Sequence, residues 1–142
     1  MTMTDPDEVA RRTEEQLGVS HRDTLVQRMG IEITEATPAR VVGRMPVEGN
    51  IQPYGLLHGG ASCVLAETLG STGAALHAGP GRIAVGVEIN ATHHRSATSG
   101  HVIGVATLIH GGRTLATYDI AITDEQGRRV CTSRLTCMLR DI

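Results

Sequence analysis

One segment constrains this chain more than any other: residues 57–78, LHGGASCVLAETLGSTGAALHA. It is long enough for about six helical turns and holds no proline. Its intrinsic propensity is poor, because Gly59, Gly60, Gly70 and Gly73 each cost about 1 kcal/mol relative to alanine. It is apolar on almost every side, which is the pattern of a helix enclosed by other structure. His58, Glu67 and His77 make a membrane span costly. The small residues read instead as room for a sheet or a second helix to come close. The spacing predicts a helix over 57–78 wrapped by a curved sheet.

The flanking sequence supplies that sheet. Residues 31–36 and 39–47 read as strands joined at Thr37-Pro38, followed by the turn-rich loop 49–55. After the breaker run at 78–81, the segments 82–92, 101–110, 113–123 and 128–139 read as an antiparallel meander. Its turns fall at Gly111-Gly112 and at Asp124–Gly127, and Ile83, Val85, Val87 and Ile89 alternate along its first strand. Ahead of the sheet, residues 1–29 hold two helices. One covers 5–17, with Asp5 as cap and Pro6 in the first turn. The other covers 20–29, opened by Ser20 and closed by Gly30. Strands on both sides of one long helix define an α+β architecture.

A chain of 142 residues with 40% hydrophobic content suits a single domain, 1–142, whose core needs no disulfide or structural metal. Phe and Trp are absent and Tyr54 and Tyr118 are the only aromatics, so the core is aliphatic and stacking platforms for nucleic acid are missing. A net charge of −2 without a basic run also argues against a nucleic-acid partner. All thirteen basic residues are Arg, which excludes a Schiff-base or phosphate-loop lysine. Anions must be held by Arg forks, His or backbone amides. Three cysteines, an odd number, and no signal peptide imply a reducing, cytoplasmic setting, with no membrane span. Cys131 and Cys137 fall on one strand, roughly 20 Å apart and too far for a disulfide. No metal is expected: of the seven histidines, the adjacent His93 and His94 point to opposite faces of a strand.

The polar residues of the long helix cluster. Glu67 and Ser71 lie four apart on one face, beside Thr68 and Thr72. A carboxylate in apolar surroundings is costly unless paired or functional. Two readings stand: a partly exposed, hydrogen-bonded glutamate, or an acid–base group whose pKa burial raises. The helix start, His58-Gly59-Gly60, likewise reads as a plain glycine turn or as an anion site. In the second case Gly59 admits a ligand to backbone N–H groups that lack intrahelical partners. Gly59 and Glu67 are eight residues apart, about 12 Å along the axis. They cannot both reach one small reacting carbonyl within a chain. Two antiparallel copies of the helix across a two-fold axis would bring them together and create two equivalent sites, so at least a dimer is expected.

The run N-x-Q-x-x-G-x-L-H-G-G-x-x-x-x-L-A-E-T-x-G, from Asn50 to Gly70, resembles the PaaI-like branch of the hotdog-fold acyl-CoA thioesterases. That branch includes the Arthrobacter-type 4-hydroxybenzoyl-CoA thioesterase and thioesterases of enterobactin proofreading and the menaquinone pathway. The likeness continues through EINATHHRSATSG (88–100), HGGR (110–113) and DEQGRR (124–129), over roughly residues 25–140. It implies a hotdog fold, an antiparallel sheet around the central helix, and hydrolysis of acyl-CoA to acid and CoA. It implies Glu67 as the carboxylate that attacks the thioester or activates water, and the Gly59 amide as the group that polarises the carbonyl. His58 would orient that end of the site and Gln52 would stand near the carbonyl or water. Ser71 takes the place of a hydroxyl residue that is often Thr in the family. CoA contacts would fall on Gly86, His93, His94, Arg95 and Ser96, then on His110, Gly111, Gly112, Arg113, Thr114 and Leu115. The family implies no separate cofactor and a homo-oligomer, a tetramer built as a dimer of dimers. A dehydratase or hydratase of the same fold and a non-catalytic acyl-CoA-binding module are the alternatives. The spacing and flanking glycines of HGG-x-x-x-x-x-x-E differ from those of the first, and the intact Gln52, His58, Gly59 and Glu67 set would be lacking in the second. No nucleophile-elbow motif supports a serine hydrolase, and Cys63 reads as a small helix residue rather than a nucleophile.

Overall fold

The computed structural model describes residues 5–142; residues 1–4 of the N-terminal segment lie outside the described residues. The elements run α1 (Pro6–Leu17), α2 (Leu25–Arg28), β1 (Glu32–Ala36), β2 (Arg40–Pro46), α3 (Gly59–Ala78), β3 (Arg82–His93), β4 (His101–Gly111), β5 (Leu115–Thr123) and β6 (Arg129–Asp141). The six strands form one antiparallel sheet in the order β1-β2-β4-β5-β6-β3. The sheet wraps α3, which touches every strand. This is the α+β hotdog architecture that the resemblance implies.

Aliphatic packing closes the sheet on the helix. Leu65, Leu69 and Ala66 of α3 are fully buried against Val41, Met45, Ala106, Ile122 and Leu135. Glycines set the approach on both sides. A Cβ on Gly70 would sit 2.7 Å from Leu135 Cδ2, and one on Gly73 would sit 2.7 Å from the ring of Tyr118. The buried Tyr118 hydroxyl donates to the Pro38 carbonyl, so the one large ring in the core leaves no polar atom unpaired. The helix glycines thus give up propensity for close contact with the sheet.

Three expectations are corrected. The second helix is Leu25–Arg28, not 20–29. Ser20 accepts from the Arg22 amide in a local turn, and Asp23 takes a left-handed φ of 60°, which interrupts the α geometry there. The last four strands are not a simple meander. The order β4-β5-β6 is sequential, but β3 pairs with β6 rather than β4. The physical cause is that β2 pairs with β4 along Arg40–Pro46 and occupies that edge, so residues 94–100 must cross from β3 to β4. Finally, Ile83, Val85, Val87 and Ile89 do not share a face. The β3–β6 register shifts between Gly86 and Glu88, which turns Val85 outward (41% exposed) and leaves Ile89 packed on the core.

The cysteines and Tyr118 make the fold sensitive to alkali. Burial, with Cys63 nearby and against the effect of Arg129, pushes the Cys131 thiol from 9.0 up to about 11. Burial, then Cys137, pushes the Tyr118 phenol from 10.0 up to about 12. Their folded-state values lie above the unfolded ones. The stabilisation is therefore complete below the unfolded values and is lost as pH rises through the folded ones. The urea midpoint is expected to hold up to about pH 9 and then fall. A midpoint that stays level to about pH 11 in a pH series of urea melts contradicts this assignment.

Candidate active site

The start of α3 is capped by the side chain of its own first flanking residue. His58 Nδ1 accepts from the Gly60 amide at 2.8 Å, and the His58 carbonyl accepts from Ala61 and Ser62 at 2.9 and 3.3 Å. With the His58 N–H donating to the Asn50 carbonyl at 2.9 Å, three of the four N–H groups that lack an i→i−4 partner at this helix start, those of His58, Gly60 and Ala61, are used. The fourth, the Gly59 N–H, has no acceptor among the described residues. His58 thus caps this end of the helix, and its side chain is exposed. The missing side chain of Gly59 is also required: a Cβ there would lie 2.9 Å from His93 Nε2.

The free amide borders a cleft of about 320 Å³ whose walls include Gln52, Leu57, Gly59, Ser62, His93, His94, Arg95, Ser96 and Val130. Six of the residues expected from sequence thus meet in one place. The Gln52 side-chain oxygen accepts from the Tyr54 amide, which fixes the orientation of the carboxamide. The Gln52 NH2 group is left as a donor. The cleft floor is held by backbone bonds from Gln52 N–H to the Leu56 carbonyl (2.8 Å) and from Leu57 N–H to the Ala97 carbonyl (2.9 Å). His94 meets Thr132 Oγ1 at 2.9 Å, while His93 lies beside Gly59; the two rings serve different neighbours. Among the described residues no group of three or more His, Cys, Asp or Glu gathers as for a metal ion.

Glu67 lies elsewhere. It is exposed in the chain, on the stripe of α3 that the sheet leaves open with Cys63, Val64, Thr68, Ser71 and Ala75. Its carboxylate accepts no hydrogen bond among the described residues. It lies over the bulged part of β3, where a Cβ on Gly86 would be 2.8 Å from Glu67 Oε2. Ser71 Oγ is 4.0 Å from Cys137 Sγ, directly across from Gly86 in the β3–β6 register. Burial pushes the Cys63 thiol up, and the Glu67 charge adds to this. Burial also raises Cys137, against a hydrogen bond from Ser71 and aided by Glu67. A raised thiol is protonated at neutral pH and is a poor nucleophile.

The remaining expected residues stand at the other end of α3. His110, Gly111, Gly112, Arg113, Thr114 and Leu115 form the β4–β5 turn beside His77, near the helix C-terminus. One chain therefore holds three separate clusters: the amide cleft, the Glu67 stripe and the 110–115 turn. Sequence reasoning missed Leu56, Leu57, Ser62, Ala97 and Val130 as cleft walls. Ser62, one turn beyond Gly59, carries a periodic signal; Val130 reaches the cleft only through sheet pairing.

The model of the thioesterase superfamily matches residues 54–131. The chain is 48% identical over 125 residues to the proofreading thioesterase EntH of Cronobacter turicensis, covering 87% of this chain and 91% of that protein. A solved thioesterase from Haemophilus influenzae superposes with a TM-score of 0.85 at 33% identity, covering 99% of this chain and 93% of that one. Two solved mutants of one Staphylococcus aureus protein, one glutamate-to-alanine and one glutamine-to-alanine, superpose with TM-scores of 0.81 and 0.79. Both are 34% identical, covering 83% and 82% of this chain and 99% and 98% of theirs. The sheet-wrapped helix, with these likenesses, defines a hotdog-fold thioesterase. The chain belongs to the thioesterase superfamily and is a thioester hydrolase. Among the described residues no helix is long and apolar enough to cross a membrane.

Proposed function

We propose that the protein hydrolyses acyl-CoA thioesters to free carboxylic acid and CoA, at two equivalent sites assembled across a homodimer. The observation that carries this is the separation of two complementary, unpartnered groups on one helix. The Gly59 N–H and the Glu67 carboxylate lie about 12 Å apart along the axis and about 80° apart around it. Both are open, and neither has a hydrogen-bond partner among the described residues. An antiparallel second copy of α3, laid on the open stripe, sets Glu67 of one subunit against Gly59 and Gln52 of the other. The Staphylococcus aureus mutants support the choice of these two residues, because the glutamine and glutamate altered there are separated by the same fifteen positions as Gln52 and Glu67.

In that arrangement the thioester carbonyl oxygen accepts from the Gly59 N–H, with the Gln52 NH2 close by. Glu67 acts on the carbonyl carbon directly, or through a water whose proton it takes while Ser71 holds that water. As the tetrahedral intermediate collapses, the C–S bond breaks and CoA leaves as a thiolate, which takes its proton from Glu67 in the water route and from solvent water in the direct route. In the direct route the mixed anhydride left on Glu67 is then hydrolysed by water, which releases the acid and restores the carboxylate. Gly86, with no side chain beneath Glu67, leaves room for the thioester. His93, His94, Arg95 and Ser96, with the 110–115 turn, contact the CoA arm and its phosphates. The single domain works in the cytoplasm, and the dimers pair further into a tetramer.

The test has two parts. Thiol release is measured on a panel of aromatic and aliphatic acyl-CoAs, and wild type is expected to turn over at least one class. Then Glu67→Ala and Gln52→Ala subunits, each nearly inactive alone, are mixed and allowed to exchange. A mixed dimer carries one intact site and one doubly defective site, so it is expected to regain about half of wild-type activity per dimer. No recovery in a mixture shown to exchange contradicts the shared site. No turnover of any acyl-CoA favours a carrier-protein thioester or the binding-module reading.

A further inference from the structure

We infer that His77 is a positioning residue for the CoA end of the reaction, holding the 110–115 turn in its binding geometry. This rests on the reading of that turn as a CoA contact. His77 Nε2 donates to the Gly112 carbonyl at 2.8 Å, so the ring carries its proton on Nε2. The same ring packs against Gly111, where a Cβ would be 2.8 Å from His77 Cε1. The turn's other fixed points are backbone bonds: Gly112 N–H to the Leu115 carbonyl at 2.8 Å, and Leu139 N–H to the Thr114 carbonyl at 2.9 Å. His77 is thus the side chain that ties the turn to the helix bearing Glu67. A register shift between Leu108 and His110 precedes the turn and sets which way His110 points.

The consequence is geometric. Ten residues of one helix separate Glu67 from His77, about 15 Å of rigid spacer. A long thioester arm, reacting at one end and held through its phosphates at the other, needs that spacing constant. The two glycines of HGGR then have separate reasons. Gly111 makes room for the His77 ring. A Cβ on Gly112 would meet His110 Nε2 at 2.9 Å and the Leu115 carbonyl at 3.1 Å. Without His77 the exposed Arg113 and His110 stay on the turn, but the turn is no longer registered to the catalytic carboxylate.

The test compares His77→Leu with His77→Gln, whose amide nitrogen can reach where Nε2 stands. Each is assayed on an acyl-CoA and on the N-acetylcysteamine thioester of the same acyl group, which lacks the nucleotide. His77→Leu is expected to raise KM for the acyl-CoA about tenfold, the scale of one lost hydrogen bond, with kcat within about twofold. The short thioester is expected to change by less than about twofold, and His77→Gln to restore most of the KM. If His77→Leu does not fold, His77→Asn, too short to reach Gly112, takes its place in the comparison. An unchanged KM, an equal loss on both thioesters, or no rescue by Gln overturns the assignment. Arg113→Ala is run alongside: if it raises the acyl-CoA KM while His77→Leu does not, only the His77 inference fails. If neither variant moves that KM, the reading of the turn as a CoA contact fails with it.

Discussion

Glu67→Ala is expected to lower kcat at least about 100-fold while the protein stays folded. Both halves follow from the site. Glu67 is exposed and accepts no hydrogen bond among the described residues, so its removal orphans no buried donor. Alanine is also the better helix former, which keeps the stability change within about 0.5 kcal/mol in the single subunit. The carboxylate nonetheless stands on the stripe of α3 that the sheet leaves open, over Gly86, where the proposed function puts the thioester. Glu67→Gln keeps the shape and removes the basicity, and is expected to lose activity to a similar degree. Circular dichroism and a thermal melt establish the fold, and thiol release gives the rate. A folded Glu67→Ala enzyme within about threefold of wild type would remove Glu67 from the mechanism, and the dimeric site with it.

Leu69→Ala is expected to cost about 3 kcal/mol, lowering the thermal midpoint by about 10 °C at fixed protein concentration. Leu69 is 0% exposed and lies between two sheet glycines. A Cβ on Gly43 would sit 2.7 Å from its Cδ2, and one on Gly104 would sit 2.6 Å from its Cδ1. The leucine fills the space that the glycines leave, so truncation opens a cavity that neighbouring strands cannot close without breaking the β2–β4 ladder. The reciprocal change sharpens the test. Gly104→Ala alone is expected to destabilise by forcing its methyl into Leu69. In the Leu69→Ala background the same methyl enters the vacated space, and its cost is expected to shrink or reverse. Additive effects in the double-mutant cycle contradict this packing.

Much of the fold was legible because its signals are local. The long apolar helix, the turns at Gly111-Gly112 and Asp124–Gly127, and the strand segments each follow from periodicity or turn chemistry within a few residues, although the helix begins at Gly59 with His58 as its cap and not at residue 57. At the second turn the Asp124 carboxylate accepts from the amides of Gln126 and Arg128 and from the Arg128 guanidinium, which is why Asp-x-x-Gly closes a hairpin there. The overextended second helix had no such safeguard, since Asp23 in a left-handed conformation leaves little trace in composition.

By itself the sequence determined the element types, the family pattern from Asn50 to Gly70, and the eight-residue offset that keeps Gly59 and Glu67 from one reacting atom in a chain. Only the tertiary structure decided which edge β3 occupies, where its bulge falls, that Gly86 lies under the Glu67 carboxylate, and that His77 clamps the 110–115 turn. The physical reason is range. Helix and turn preferences are set by neighbours in the chain, whereas strand order and register are set by pairing between segments far apart in it. A shift of one residue in such a pairing sends every following side chain to the other face.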